Sequence, residues 1–190
     1  MDNFFCQPFS GMSKLSIIRY QLSIKKMTDK VKFDSFAEKF PKIALPITIR
    51  EDSHHDFEHN SPLSDEMIAS FISRFEAAVV DEFTEYVACF SIPKVPKQAY
   101  QALVYWKAAL LQYDYVLATY SSDGNMIDKK AIAGTKVMGE EVLHTLVTID
   151  EKLTIFVAMG AITEGGEYDP NATKTHRFEI LENGRIEQDY

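Results

Sequence analysis

The chain has 190 residues, of which 46% are hydrophobic and 12% aromatic. That is enough apolar material for a packed core without disulfide or metal staples, and it excludes disorder throughout. The formal net charge of −8 argues against a nucleic-acid surface, which needs clustered Lys and Arg, and against an anionic membrane.

The charge is uneven. Residues 1–32 carry six Lys and Arg against Asp2 and Asp29, a net of +4, which leaves −12 for the rest of the chain given −8 overall. An acidic body suits a basic protein partner or a cation, and it also keeps a protein soluble. Two cysteines, Cys6 and Cys89, do not make a disulfide framework and fit a reducing compartment. No stretch approaches the length of a membrane span, and the apolar patch at Leu15, Ile17 and Ile18 is cut off by Arg19 with no cleavage site after it. The expected location is the cytoplasm.

Residues 1–27 are polar, basic and aperiodic. They read as a flexible tail, or as an overlong start upstream of Met27, and residues 28–190 as a single domain. Phe33, Phe36, Ala37 and Phe40 then recur at helical spacing, and Pro41 ends that helix. The β-branched run at 43–49 contains Pro46, which cannot donate a ladder hydrogen bond, so it is at best an edge strand. A polar loop follows at 51–60. Ser64 is placed to cap a second helix, with Asp65 and Glu66 in its first turn and an apolar stripe of Met67, Ile68, Phe71, Ile72 and Phe75.

From about residue 83 the period falls to two. Tyr86, Ala88, Phe90 and Ile92 alternate, and Pro93 closes the strand. Residues 98–112 fit either a helix or a strand, and Val104-Tyr105-Trp106 favours strand. A strand at 115–120, the Asp123-Gly124 turn and a return strand near 126–133 predict a hairpin. Strands follow at 142–149, at 153–159 and around His176, Phe178 and Ile180, with a second hairpin turn at Asn183-Gly184. Consecutive strands with short turns and no crossover helices predict an α+β fold: an antiparallel meander of six or seven strands, curled toward a half-barrel, with N-terminal helices packed on one face.

Tyr105-Trp106-Lys107-Ala108, the run from Tyr113 to Tyr120, Ile127-Asp128, Ile132-Ala133-Gly134-Thr135 and Thr148-Ile149-Asp150 resemble an uncharacterised family of Bacteroidetes-type bacterial proteins. So do Leu45-Pro46-Ile47-Thr48 and His54-His55. The resemblance covers roughly residues 30 to 186. It implies a bacterial cytosolic protein and carries no activity with it.

The densest cluster of reactive side chains is His54, His55, Asp56, Glu58 and His59. Imidazole and carboxylate suit zinc, and a helix would put His55 and His59 on one face. The zincin pattern requires glutamate after its first histidine, however, and Asp56 stands there. Glu164, Glu167, Asp169 and Asn171 lack the calcium-loop spacing. His144 and His176 fall inside strands and read as core or rim residues. Along residues 113–120, Leu117 marks the core side, which turns Asp114 and Tyr120 outward beside Trp106. The reading that follows is a non-enzymatic binding or protein-interaction module, acting through Trp106 and Tyr120 with another protein as partner and no cofactor. Its alternative is a metal-dependent hydrolase using His54, His55 and His59.

Overall fold

The computed structural model describes residues 32–50, 52–76, 83–93, 98–139, 141–162 and 173–189. The proposed tail boundary and the acidic loop beginning at Glu164 lie outside these residues. Among the described residues no helix is long and apolar enough to cross a membrane.

The architecture is mostly antiparallel sheet. Eight strands follow one another as a meander: β2 (Glu85–Ser91), β3 (Tyr100–Ala109), β4 (Gln112–Ser121), β5 (Met126–Met138), β6 (Glu141–Ile149), β7 (Thr154–Ile162), β8 (Lys174–Ile180) and β9 (Ile186–Asp189). A ninth strand, β1 (Ile47–Ile49), pairs with β6 off this path. The described strands are thus nine, rather than six or seven. Two of the nine are short: β1 keeps three residues of the run expected to be at best an edge strand, and β9, beyond the Asn183-Gly184 turn, has one half-buried residue, Ile186, ahead of three exposed ones.

Within residues 98–112, Tyr100–Ala109 forms β3 and Leu110–Leu111 turn the chain into β4, with Trp106 opposite Tyr115 and Val104 opposite Leu117. Both turn signals hold: Gly124 and Gly184 have φ of +78° and +87°. At Gly184 a side chain would also strike Ile127 and Tyr100, so the turn demands glycine twice over. The sheet coils without closing. Thr119 Oγ1 donates to Gly184 O at 2.6 Å, and Ile186 N donates to Asp128 Oδ2 at 2.9 Å. The β8–β9 hairpin therefore leans on β4 and β5.

Among the described residues three short α-helices precede the meander, α1 (residues 32–37), α2 (His54–Phe57) and α3 (Asp65–Phe71), and a 3-10 turn at Ser73–Phe75 follows α3. Ser64 caps α3 as expected, its Oγ accepting from Met67 N at 3.3 Å. The rings of Phe33 and Phe36 lie 5.4 and 5.9 Å from that of Tyr120, and Phe36 stacks on Phe71 at 4.8 Å.

Two buried clusters result, and β4 divides them. Tyr115 and Leu117 belong to one, with Phe57, Phe90, Ile132, Val147, Ile149 and Ile155. Val116, Ala118 and Tyr120 belong to the other, with Phe33, Phe36, Phe71, Ile72, Leu103 and Tyr105. Both faces of β4 are thus covered, which corrects the outward placement of Tyr120. It is wholly buried, and its hydroxyl donates to Phe71 O at 2.9 Å. Asp114 is half-buried.

A bulge corrects β2 as well. Ala88 pairs with Tyr105 and Phe90 with Val104, so Cys89 is the extra residue. Tyr86 and Ala88 consequently join one cluster while Cys89 and Phe90 join the other. The Asn60 side chain meets this bulge, donating to Ala88 O and Cys89 O at 2.7 Å each. Burial raises the Cys89 thiol far above its ordinary range, so it is no nucleophile.

Candidate functional site

The histidine-rich segment folds as α2, a single turn that holds His54 and His55, with His59 beyond its end. His54 turns toward the sheet, its ring 5.6 Å from that of Trp106 and inclined to it by 10°. The His54 and His55 rings are 3.9 Å apart. His55 and His59 instead reach Glu58, at 3.8 and 3.6 Å. No group of three His, Cys, Asp or Glu side chains is placed to hold a metal ion among the described residues.

What the fold builds around His54 is an aromatic ladder. Trp106 on β3 and Tyr113 on β4 stack nearly parallel, with ring centres 5.8 Å apart and planes inclined by 7°. The β3–β4 register explains this: Tyr113 faces Ala108 and Trp106 faces Tyr115, so the two rings are diagonal neighbours across the hairpin. His54 continues the ladder from above the sheet.

These rings line a cleft of about 450 Å³ together with Tyr115, Gly134 and Thr135. Gly134 has a φ of +145°, and a Cβ there would collide with the backbone carbonyl of Tyr113. Only glycine lets β5 approach β4 this closely and bring Thr135 to the wall. Thr135 Oγ1 lies 3.2 Å from His144 Nδ1. Tyr115 is 1% exposed, and its hydroxyl meets no hydrogen-bonding group among the described residues. Burial, reinforced by Cys89 and by the carboxylates of Asp56 and Asp52, holds that phenol above its usual range. Neither lysine nor arginine lines the cleft among the described residues.

Beside the ladder the β3–β4 turn exposes Leu110 and Leu111 at 76% and 57%, and Met138 is also exposed. Val137 N donates to Leu111 O, which holds this turn against the end of β5. A second concave region of about 350 Å³ runs across β4 to β9. There Gln112 donates to Asp114 at 2.7 Å, Lys130 stands 4.1 Å over the Phe178 ring, and His176 lies 3.3 Å from Gln188. Burial raises the Asp114 carboxyl, and the Gln112 hydrogen bond, Lys107 and Lys136 oppose that rise.

Of the residues singled out from sequence, the fold brings Trp106 and His54 together, buries Tyr120, and leaves His55 and His59 outside the cleft. Tyr113, Tyr115 and Thr135 were not read as cleft residues. Their signal was present only as pairing register, which the linear pattern does not carry. Comparison with protein-family models, curated proteins and solved structures gives no match to this chain.

Proposed function

We propose that the protein is a binding module rather than an enzyme, and that it binds through the aromatic cleft centred on Trp106. One observation carries this: three near-parallel rings, His54, Trp106 and Tyr113, line a single cleft. Stacked rings of this kind offer wide contact area with few rotatable bonds, so little entropy is lost on binding. Trp and Tyr are also the residues that most often dominate binding energy. The exposed Leu110, Leu111 and Met138 extend the apolar surface at the same end of the sheet, which is the place for a protein partner to rest.

Resonance assignments with a set of small flat-ring compounds test the reading. The Trp106 indole N–H and the Thr135 amide are expected to move first and saturably. Shifts confined to the exposed Leu146 and Phe156 on β6 and β7, or none at all, overturn it.

A further inference from the structure

We infer that residues 18–25 of this chain dock as an extra strand in the open slot between β5 and β9, antiparallel to both. Strand pairing leaves that slot. β5 pairs with β4 along most of its length but with β6 only from Gly134 onward. Past that point β1 takes the place of β5 beside β6, with Ile47 opposite Ile149. Over residues 127–133 the edge of β5 that faces away from β4 therefore has no strand partner among the described residues. β9 pairs with β8 alone among them, so its outer edge is open as well.

The two open edges face each other across the concave region of about 350 Å³, where Lys130, Ala131 and Ala133 of β5 stand opposite Gln188 of β9. The edges are pinned together at the Asp128 end, where Ile186 N donates to Asp128 Oδ2 at 2.9 Å and Gly184 sits against Ile127. Ile127 meets Gly184 and Asp128 meets Ile186, so β5 and β9 run in the same direction. A strand laid between them is antiparallel to each and can pair with both. Unpaired sheet edges take up extended chain through main-chain hydrogen bonds, and alternate side chains decide which chain fits. In this slot the inward side chains join Ala133, Val157 and Phe178 of the first buried cluster.

The chain itself supplies a strand that fits. Residues 1–27 as a whole have no period, but within them Ile18, Tyr20, Leu22 and Ile24 alternate strictly with Arg19, Gln21, Ser23 and Lys25. That is the pattern of a strand with one buried face. Charge agrees: Glu187 and Asp189 are exposed on β9, on the side to which Arg19 and Lys25 turn, and residues 1–32 bear +4 against −12 in the rest of the chain. Reach agrees too. Phe33 packs against Gly124 in the turn that leads into β5, so the chain rejoins the described fold at the Met126 end of that strand. The link at 26–32 spans about 23 Å when extended, and arrival at that end sets residues 18–25 antiparallel to β5. The concave region is then completed by the chain's own side chains.

A nitroxide on the full chain locates the segment. Cys6→Ser with Gln21→Cys places the label on the outward face, and Cys89 is buried and takes none. Amide signals of β5 around Lys130 and of β9 around Gln188 should broaden, those of β2 should stay sharp, and dilution should change nothing. Broadening around Leu110 and Met138 instead, or nowhere, overturns the docking. Broadening that passes from labelled chains to unlabelled ones means that a second copy fills the slot, and same-chain closure is wrong. Hydrogen exchange on the full chain gives a second reading. Leu22→Asp puts a charge on the inward face and should speed exchange at residues 127–133 by at least about tenfold, with β3 still protected. Gln21→Ser, on the outward face, should alter neither. Unchanged exchange at 127–133 in Leu22→Asp, or acceleration spread equally over β3, overturns the placement.

Discussion

Tyr115 and Tyr120 are hidden almost equally on β4, at 1% and 0% exposure, yet their hydroxyls differ in circumstance. Tyr120 donates to Phe71 O, whereas Tyr115 and Tyr105 meet no partner among the described residues. Truncation should therefore treat Tyr115 and Tyr120 alike: each change to alanine should cost about 3–5 kcal/mol in urea unfolding, because each empties a packed cluster. A cost confined to Tyr115 would mean that the second cluster does not hold Tyr120. Conservative changes should separate the hydroxyls. Tyr120→Phe should lose about 1 kcal/mol and orphan a helix-end carbonyl, while Tyr105→Phe should be neutral or stabilising, since it removes an unmet polar group. Destabilisation of Tyr105→Phe beyond about 1 kcal/mol would show that its hydroxyl has a partner after all.

Two irregular strand positions decide how the elements meet, and neither is visible as periodicity. The Cys89 bulge lets β2 contribute Ala88 to one cluster and Phe90 to the other. Strict alternation in the sequence would have put Tyr86, Ala88, Phe90 and Ile92 on one face; the added residue resets the count. The bulge leaves two carbonyls turned toward Asn60, which lies in a stretch that reads as polar loop. Asn60→Ala should cost about 1–3 kcal/mol, more than loop substitutions usually do. A change within about 0.5 kcal/mol would mean the carbonyls find other donors. Gly134 acts differently: it stays paired with Asp114 and Thr145, and its missing side chain lets β5 lie against the Tyr113 backbone. Gly134→Ala must displace the Tyr113 backbone, so about 3 kcal/mol or more of stability should go. Trp106 fluorescence should change with it, because Tyr113 carries the ladder. What the sequence made legible was local: turn glycines, the Ser64 cap, and strand over most of 98–112, where β3 runs from Tyr100 to Ala109. What it hid depended on register between strands, which is why Trp106 was found and its neighbours Tyr113 and Thr135 were not.

At the scale of the molecule, the segment after α3 is tied to the sheet by charge as well as by apolar packing. Glu76 accepts from Lys107 Nζ on β3 at 2.9 Å and from Lys129 Nζ on β5 at 2.8 Å, and its side chain is only 11% exposed. Burial works to raise its carboxyl pKa, but the two lysines together outweigh burial and hold it below the ordinary 4.5. A depressed folded-state pKa makes the ionised pair a source of stability above 4.5, and that stability is lost as pH falls through the folded value. Asp114 has the opposite sign: burial raises its carboxyl, so its ionisation opposes folding and acid relieves it. The exposed Lys32–Glu66 pair at 2.8 Å should add little, and that little should vanish in salt. Acid unfolding can therefore apportion the two carboxylates. Glu76→Gln should lose about 1–3 kcal/mol at pH 7, since two half-buried lysines are left without their carboxylate. The gap from the parent should close as the solution becomes strongly acid. Asp114→Asn should behave in reverse, gaining stability at pH 7 and none in acid, with a steeper acid limb than the parent because the relief has gone. Melting temperatures taken across that range decide the matter: parallel curves for parent and Glu76→Gln would mean the carboxylate does not titrate with folding, and the bridge between β3, β5 and the helical segment would be packing alone.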